Sequence, residues 1–413
     1  MKTILPLNAL LFALCSQHVE AQTYDTNGVV VQTYAGSGFS GHVDGVGQMT
    51  MFAGPSAIVA DSHSNLFAWD GGNSRIRKIT PDGTVSTFVD GGTQSTGTGA
   101  NVKLEQLRSM AIDRNDTIWM LQSPPPSYLY TITSGATVTR TNVLSSLAGP
   151  HGICADSSGN LYISDSAAGG NKIYRYSTNG VLSVFAGSGN FGYADGNGIF
   201  CSFSHPAALA ADAADNIYVW DSSSWLVRRI DQNQNVTTVA GNHQSSVSVD
   251  GIGINAGLGH VSQMCFDGSG NLILACATAI RRISATTNVT TVAGSFSQSG
   301  YANGAGNLAR FNEAFGVCVS GGTIYVADRL NHRIRSISFN PSPEPVLPAD
   351  LELSTYPGLR IVGTVGRTYR IESSPDTTNW TTRATLLLNA SPYLWFDQTP
   401  VSGSKFYRAM LLP

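Results

Sequence analysis

Residues 325–337 read "YVADRLNHRIRSI" and run straight into "SFNPSPEPVLPAD" at 338–350. The first stretch alternates apolar and polar side chains on either side of a short polar gap. That is the pattern of two antiparallel strands joined by a tight turn. Elsewhere the same pattern is followed by another β-branched strand, "NVTTVAG", at 235–241 and again at 288–294. Here prolines follow instead. Where the missing strand comes from decides the fold.

Working outward, the pattern recurs. Units begin at Gly54, Gly149, Pro206, Val261 and Ala314, with a weaker copy near Gln106. The second of these reads "GPHGICADSSGNLYISDSAAGGNKIYRYSTNGVLSVFAG". Each full unit parses into four strands. The first is small and apolar ("GICAD") and leads into an Asp and Gly-Asn turn. The second closes on Asp ("LYISD"), the third mixes apolar and basic residues ("IRKI", "VRRI", "IRRI", "IRSI"), and the fourth is β-branched. The period is 2, not the 3.6 of a helix. Four-stranded units of roughly 40–50 residues are propeller blades.

The fourth strands lead into "AG", a "DG.G"-like loop and then Phe or Leu, as in "AGSGNFGYADGNGIFCSF" at 186–203. The same signature follows residues 29–34, in "VVVQTYAGSGFSGHVDGVGQMTMF" at 29–52, where no unit precedes it. Residues 29–34 therefore read as the fourth strand of the last unit. Joining the two ends closes a ring and pairs otherwise open edges. The expectation is an all-β chain: a six-bladed β-propeller over 28–339, closed by its N-terminal strand.

The units "YVADRLNHRIRSI" and "YVWDSSSWLVRRI" resemble the NHL repeat, and the intervening loops resemble the secreted bacterial form of that family. The likeness covers about residues 28–339 and is weakest in the second unit, where "QSPPPSYLYTI" lacks both the Asp and the basic pair. Residues 340–350 are a Pro-rich linker. Residues 351–413 read as a small β-sandwich-like module, resembling C-terminal modules on exported proteins of Verrucomicrobia-like bacteria.

Composition narrows the partners. Charged residues are 12% of 413 and the net charge is −3, so nothing offers the basic patch that nucleic acid requires. The N-terminus, "MKTILPLNALLFALCSQHVEAQ", has the pattern of a signal peptide over 1–21, and its apolar run is short for a membrane span. A secreted, periplasmic or cell-surface monomer with no transmembrane segment is expected. Five cysteines follow the leader: Cys154, Cys201, Cys265, Cys276 and Cys318. Aligned on the Asp that ends each first strand, Cys154, Cys265 and Cys318 share a position with Val59, Ala111 and Ala210, which reads as packing.

Four residue sets are candidates for chemistry. Asp70, Asp165, Asp221 and Asp328 end second strands and read as turn caps. Asp44, Asp195, Asp250 and Asn303 sit in the "DG.G" loops, where one carboxylate per loop is too few for Ca²⁺. The basic pairs Arg75/Arg77, Arg228/Arg229, Arg281/Arg282 and Arg333/Arg335 read as solvated residues in weak ion pairs. His205, His260 and Glu313 follow the loop Phe or Leu by two residues, as Gly54 does, and His151 lies two residues further along its own strand. Were these side chains to converge on the axis, two imidazoles and a carboxylate would suit zinc. In the C-terminal module, Trp380, Tyr393, Trp395 and Tyr407 are divided between a core and a sugar-binding face.

The reading is a non-catalytic binding protein without a cofactor, presenting a propeller face to a protein, peptide or glycan. Two rivals stand beside it. One is a metal-dependent propeller enzyme: six-bladed propellers include lactonases and a zinc-dependent lyase with axial histidines, which bears on His205 and His260. The other is a structural cell-surface protein. Fold analogy does not choose among them.

Overall fold

The computed structural model describes residues 28–90, 96–98, 104, 107–123, 126–167, 169–339, 350–353, 359–389, 391, 393–395 and 406–412. The expected leader, 1–21, and all but the last residue of the linker lie outside them.

The strand missing after Ile337 comes from the other end of the chain. Val29–Ala35 pairs antiparallel with Arg333–Phe339, Val29 opposite Phe339 and Val31 opposite Ile337. The alternation of "VVVQTYA" sets the register: Val29 and Val31 are buried against Ile324, Val326 and Ile337, while Gln32 is exposed.

Among the described residues, 29–339 form six antiparallel sheets. Their first strands are Pro55–Ala60, Leu107–Ile112, Pro150–Ala155, Pro206–Ala211, Gln263–Phe266 and Ala314–Ser320, and they number the sheets 1 to 6 below. Each sheet is a meander in chain order, except that sheet 6 takes Val29–Ala35 as its fourth strand. Five sheets add a two-residue outer strand, such as Gly45–Val46 in sheet 1; sheet 3 has four strands.

Each first strand packs on the first strand of the next sheet, and the sixth packs back on the first. The crowding is tight enough to select glycine. A Cβ on Gly316 would sit 2.5 Å from the Ser56 carbonyl oxygen, and one on Gly152 would strike that of Ala207. Between sheets, Phe52, Phe203, Leu258 and Phe311 from the connecting loops are fully buried.

At least one arginine of each basic pair is buried rather than solvated, which corrects the expectation from sequence, while Arg75, Arg229 and Arg333 are half-buried. Arg77, Arg228, Arg281 and Arg335 are fully buried. A third strand lies between neighbouring sheets, so an arginine at its middle is buried on whichever face it projects from. Arg77 donates to Asp44 at 2.5 Å and to Asp70 at 3.2 Å. Arg228 donates to Asp195 at 2.6 Å and lies 3.5 Å from Asp221. Arg335 donates to Asp328 at 2.7 Å and to Asn303 at 2.8 Å. Arg281 donates to Asp250 at 2.8 Å, and Cys276 stands where its second carboxylate would be. Arg77, Arg228 and Arg335 also lie over Phe52, Phe203 and Phe311, at 5.0, 5.5 and 5.1 Å.

The carboxylates that end second strands therefore do more than cap a turn. Each accepts a backbone N–H from just ahead of its own sheet's first strand: Ala53 to Asp70 at 2.6 Å, Gly149 to Asp165 at 2.7 Å, Ser204 to Asp221 at 2.5 Å and Asn312 to Asp328 at 2.8 Å. Burial pushes Asp70 and Asp328 above the ordinary carboxylate range and Asp221 up to about 6, outweighing the donors that pull them down. Sheets 2 and 3 depart from this pattern. Tyr130 occupies the arginine position of sheet 2 and donates to Gln122 at 2.8 Å. Tyr174 occupies it in sheet 3.

The C-terminal module forms two three-stranded sheets, built from Asp350–Leu353, Leu359–Val362 and Tyr393–Trp395, and from Thr368–Ser374, Thr381–Leu387 and Phe406–Leu411. Its core is Leu359, Ile361, Tyr369, Ile371, Leu388 and Ala409, with Tyr393, Trp395 and Tyr407 packed against it. Trp380 lies 4.2 Å beneath the Arg408 guanidinium.

Candidate functional site

The six first strands enclose a cavity of about 250 Å³. It is smaller than the ~300–1,000 Å³ of sites for drug-sized molecules. Most of its lining residues have apolar side chains, with Val59, Met110, Met264 and Val317 among those from opposite sides, while polar atoms make up more than half of its exposed surface. Cys154, Cys265 and Cys318 also line it. Burial pushes all three thiols well above their ordinary range, so they remain protonated and act as packing. The five described cysteines are free.

The two ends of the cavity differ. Counting back five residues from the Asp that follows each first strand gives Ser56, Arg108, His151, Ala207 and Ser262, and the corresponding position in sheet 6 is Phe315. Arg108, His151, Ser262 and Phe315 line the cavity, and they mark one mouth. At the far ends of the strands, the turn residues Asp61, Asp113, Asp156, Asp212 and Asp267 each accept backbone N–H groups of their own turns. Ser62 and Ser157 tie neighbouring turns together there through Asp116 and Asp215, at 2.8 and 2.7 Å.

Of the residues singled out in sequence, His151 lines the cavity, whereas His205, His260 and Glu313 do not. Desolvation pushes His151 down to about 4, with Arg108 and His260 pushing the same way, so its imidazole is neutral at pH 7. His205 sits at a left-handed corner (φ 55°). Its Nδ1 shares a hydrogen bond with Ser223 Oγ at 2.9 Å, and its ring meets the edge of Phe191 at 5.6 Å. Glu313 sits at the equivalent corner (φ 62°) and accepts from Arg329 at 2.8 Å. The corner residues are Gly54, His205, Gly259 and Glu313. His260 is level with Gly54, His205 and Glu313 in sequence but does not share their conformation, because in sheet 5 the left-handed residue is Gly259. Among the described residues, no three His, Cys, Asp or Glu side chains gather as a metal site would require.

The loop carboxylates Asp44, Asp195 and Asp250 are occupied structurally, each accepting from a fourth-strand backbone N–H: Thr87 at 3.0 Å, Thr238 at 3.1 Å and Thr291 at 3.1 Å.

Arg108 is the functional candidate that sequence reasoning missed. It lies in the weakest unit, "QLRSMAID", and the signal that finds it is the alignment of first strands that places it level with His151.

The NHL repeat family matches residues 311–335. The chain is 28% identical over 339 residues to the human protein NHL repeat-containing protein 2, covering 77% of this chain and 43% of that one. Its bovine counterpart is 29% identical over 188 residues, 41% of this chain and 26% of that one. The chain is homologous to these proteins and spans less than half of their length. Among solved structures, it resembles an auxiliary nutrient binding protein from Bacteroides thetaiotaomicron VPI-5482, with a TM-score of 0.59, 20% identity and 76% of each chain covered. It also resembles a gluconolactonase from Xanthomonas campestris, with a TM-score of 0.50, 12% identity, 71% of this chain and 89% of the other. These neighbours are propeller proteins, and at such identities the likeness is one of fold alone.

Proposed function

We propose that the six sheets are the blades of one closed β-propeller, and that the chain is an exported, non-catalytic binding protein. Residues 340–350 link the propeller to the module at 351–413, and the ligand site is the mouth of the central cavity marked by Arg108 and His151. One observation carries this reading. Arg108 and His151 stand at one position of adjacent first strands, on one cavity wall, and among the described residues neither side chain is engaged in a hydrogen bond or ion pair. Unpartnered polar side chains that meet at the mouth of a cavity are a mark of a binding site. His205 and Glu313, by contrast, already have partners within their own loops.

The fold supports several functions, since both a nutrient-binding protein and a gluconolactonase adopt it. The test is a ligand-observed NMR screen of small fragments against the full chain, repeated with Ser262→Trp, which narrows the same mouth. Fragments whose binding is lost in the variant are expected, together with no hydrolysis of gluconolactone above background. Turnover of the lactone, or a screen in which no fragment depends on the mouth, would overturn the reading.

A further inference from the structure

We infer that the mouth is a carboxylate site: Arg108, with an N–H of His151 on the adjacent strand, holds the carboxylate of a small molecule whose short apolar body enters the cavity. The inference rests on the channel-binding reading above and adds the ligand's charge and size.

The first support is electrostatic. Arg108 is permanently protonated and, among the described residues, has no carboxylate within ion-pair distance. The nearby cation Arg329, which lies over the ring of Phe315 at 5.4 Å, is already neutralised by Glu313 at 2.8 Å. Among the described residues the mouth therefore carries one uncompensated positive charge. A guanidinium matches a carboxylate in a two-point geometry, and such charge-assisted bonds are about twice as strong as neutral ones. One charge suits a monoanion better than a phosphate dianion.

The second support is the polarity of the ring. The opposite mouth carries the five turn carboxylates Asp61, Asp113, Asp156, Asp212 and Asp267, their oxygens already accepting backbone N–H groups. An anion is drawn to the Arg108 end rather than to the end that carries these carboxylates. Neutral His151 offers one N–H and accepts no second proton at pH 7.

The third support is volume. About 250 Å³, with the apolar side chains of Met110, Met264 and Val317 in its lining, admits a body of a few carbons and excludes a polymer chain from the interior.

The test is calorimetric titration of the full chain with hexanoate and benzoate against their neutral amides, hexanamide and benzamide. The acids are expected to bind at least about tenfold more tightly than the amides. Arg108→Gln should abolish that preference without altering the melting temperature, and Arg108→Lys should keep part of it. Arg140→Gln, an exposed arginine on an outer strand, should leave it unchanged. Equal binding of acids and amides, or a preference that survives Arg108→Gln, overturns the carboxylate site while leaving a channel that binds small molecules. Binding of neither class overturns both.

Discussion

Sheets 1, 4 and 6 are built alike, and sheets 2 and 3 are not. In the first group a buried arginine joins the carboxylate that ends the second strand to an acidic or amide side chain in the connecting loop. In the second group tyrosine takes the arginine's place. The free polar groups of the cavity mouth, Arg108 and His151, come from sheets 2 and 3. The charges that repeat are thus spent on holding sheets together. The charge that can meet a ligand appears where the repeat lapses.

The largest expected effect concerns what both groups share, the closed ring. Deleting residues 1–35 removes the fourth strand of sheet 6 and exposes the edge of Arg333–Phe339. Urea unfolding should show a loss of more than about 4 kcal/mol or of two-state behaviour. A truncated chain that unfolds like the full one would break the ring account.

The next contrast sets the two kinds of sheet against each other. Asp221→Ala removes one of the two carboxylates beside the buried Arg228 and should cost about 3–5 kcal/mol. Tyr130→Phe removes one neutral hydrogen bond to Gln122 in sheet 2 and should cost about 1 kcal/mol. Equal costs would erase the distinction between the groups.

A smaller effect is a slope with pH. Burial raises Asp221 to about 6 in the folded chain. A raised folded value means that the folded chain holds this proton more tightly than the unfolded one. Its contribution to stability is therefore full below an unfolded value of ~4 and lost as pH rises through about 6. Asp221→Asn should flatten the stability profile across that window by on the order of 2 kcal/mol relative to the parent. Parallel profiles for the two proteins would show that Asp221 does not titrate there.

Much of the ring was legible in the sequence because strand patterning and turn chemistry are local. The "AG" and "DG.G" signature located Val29–Ala35 as the strand missing after Ile337. The arginines were misread because pairing rules for exposed strands do not hold where both faces are covered. Nothing within "RIRKI" says that sheets stack on either side of Arg77. The aligned residues His205, His260 and Glu313 do not line the cavity for a different reason: His205 and Glu313 sit at left-handed corners and are held by partners in their own loops, and in sheet 5 the left-handed residue is Gly259. Arg108 was hidden by the weakness of its unit, and its level with His151 emerges only when the first strands are aligned as members of one ring.

The most direct test of the central claim is an NMR titration that follows the imidazole ring protons of the full chain while benzoate is added. The account has the ligand beside Arg108 and His151. It predicts that the His151 signals shift in a saturable way, that those of His205 stay put, and that the His151 shift is lost in Arg108→Gln. Movement of His205 with a silent His151 would contradict it and move the site to the loop corners.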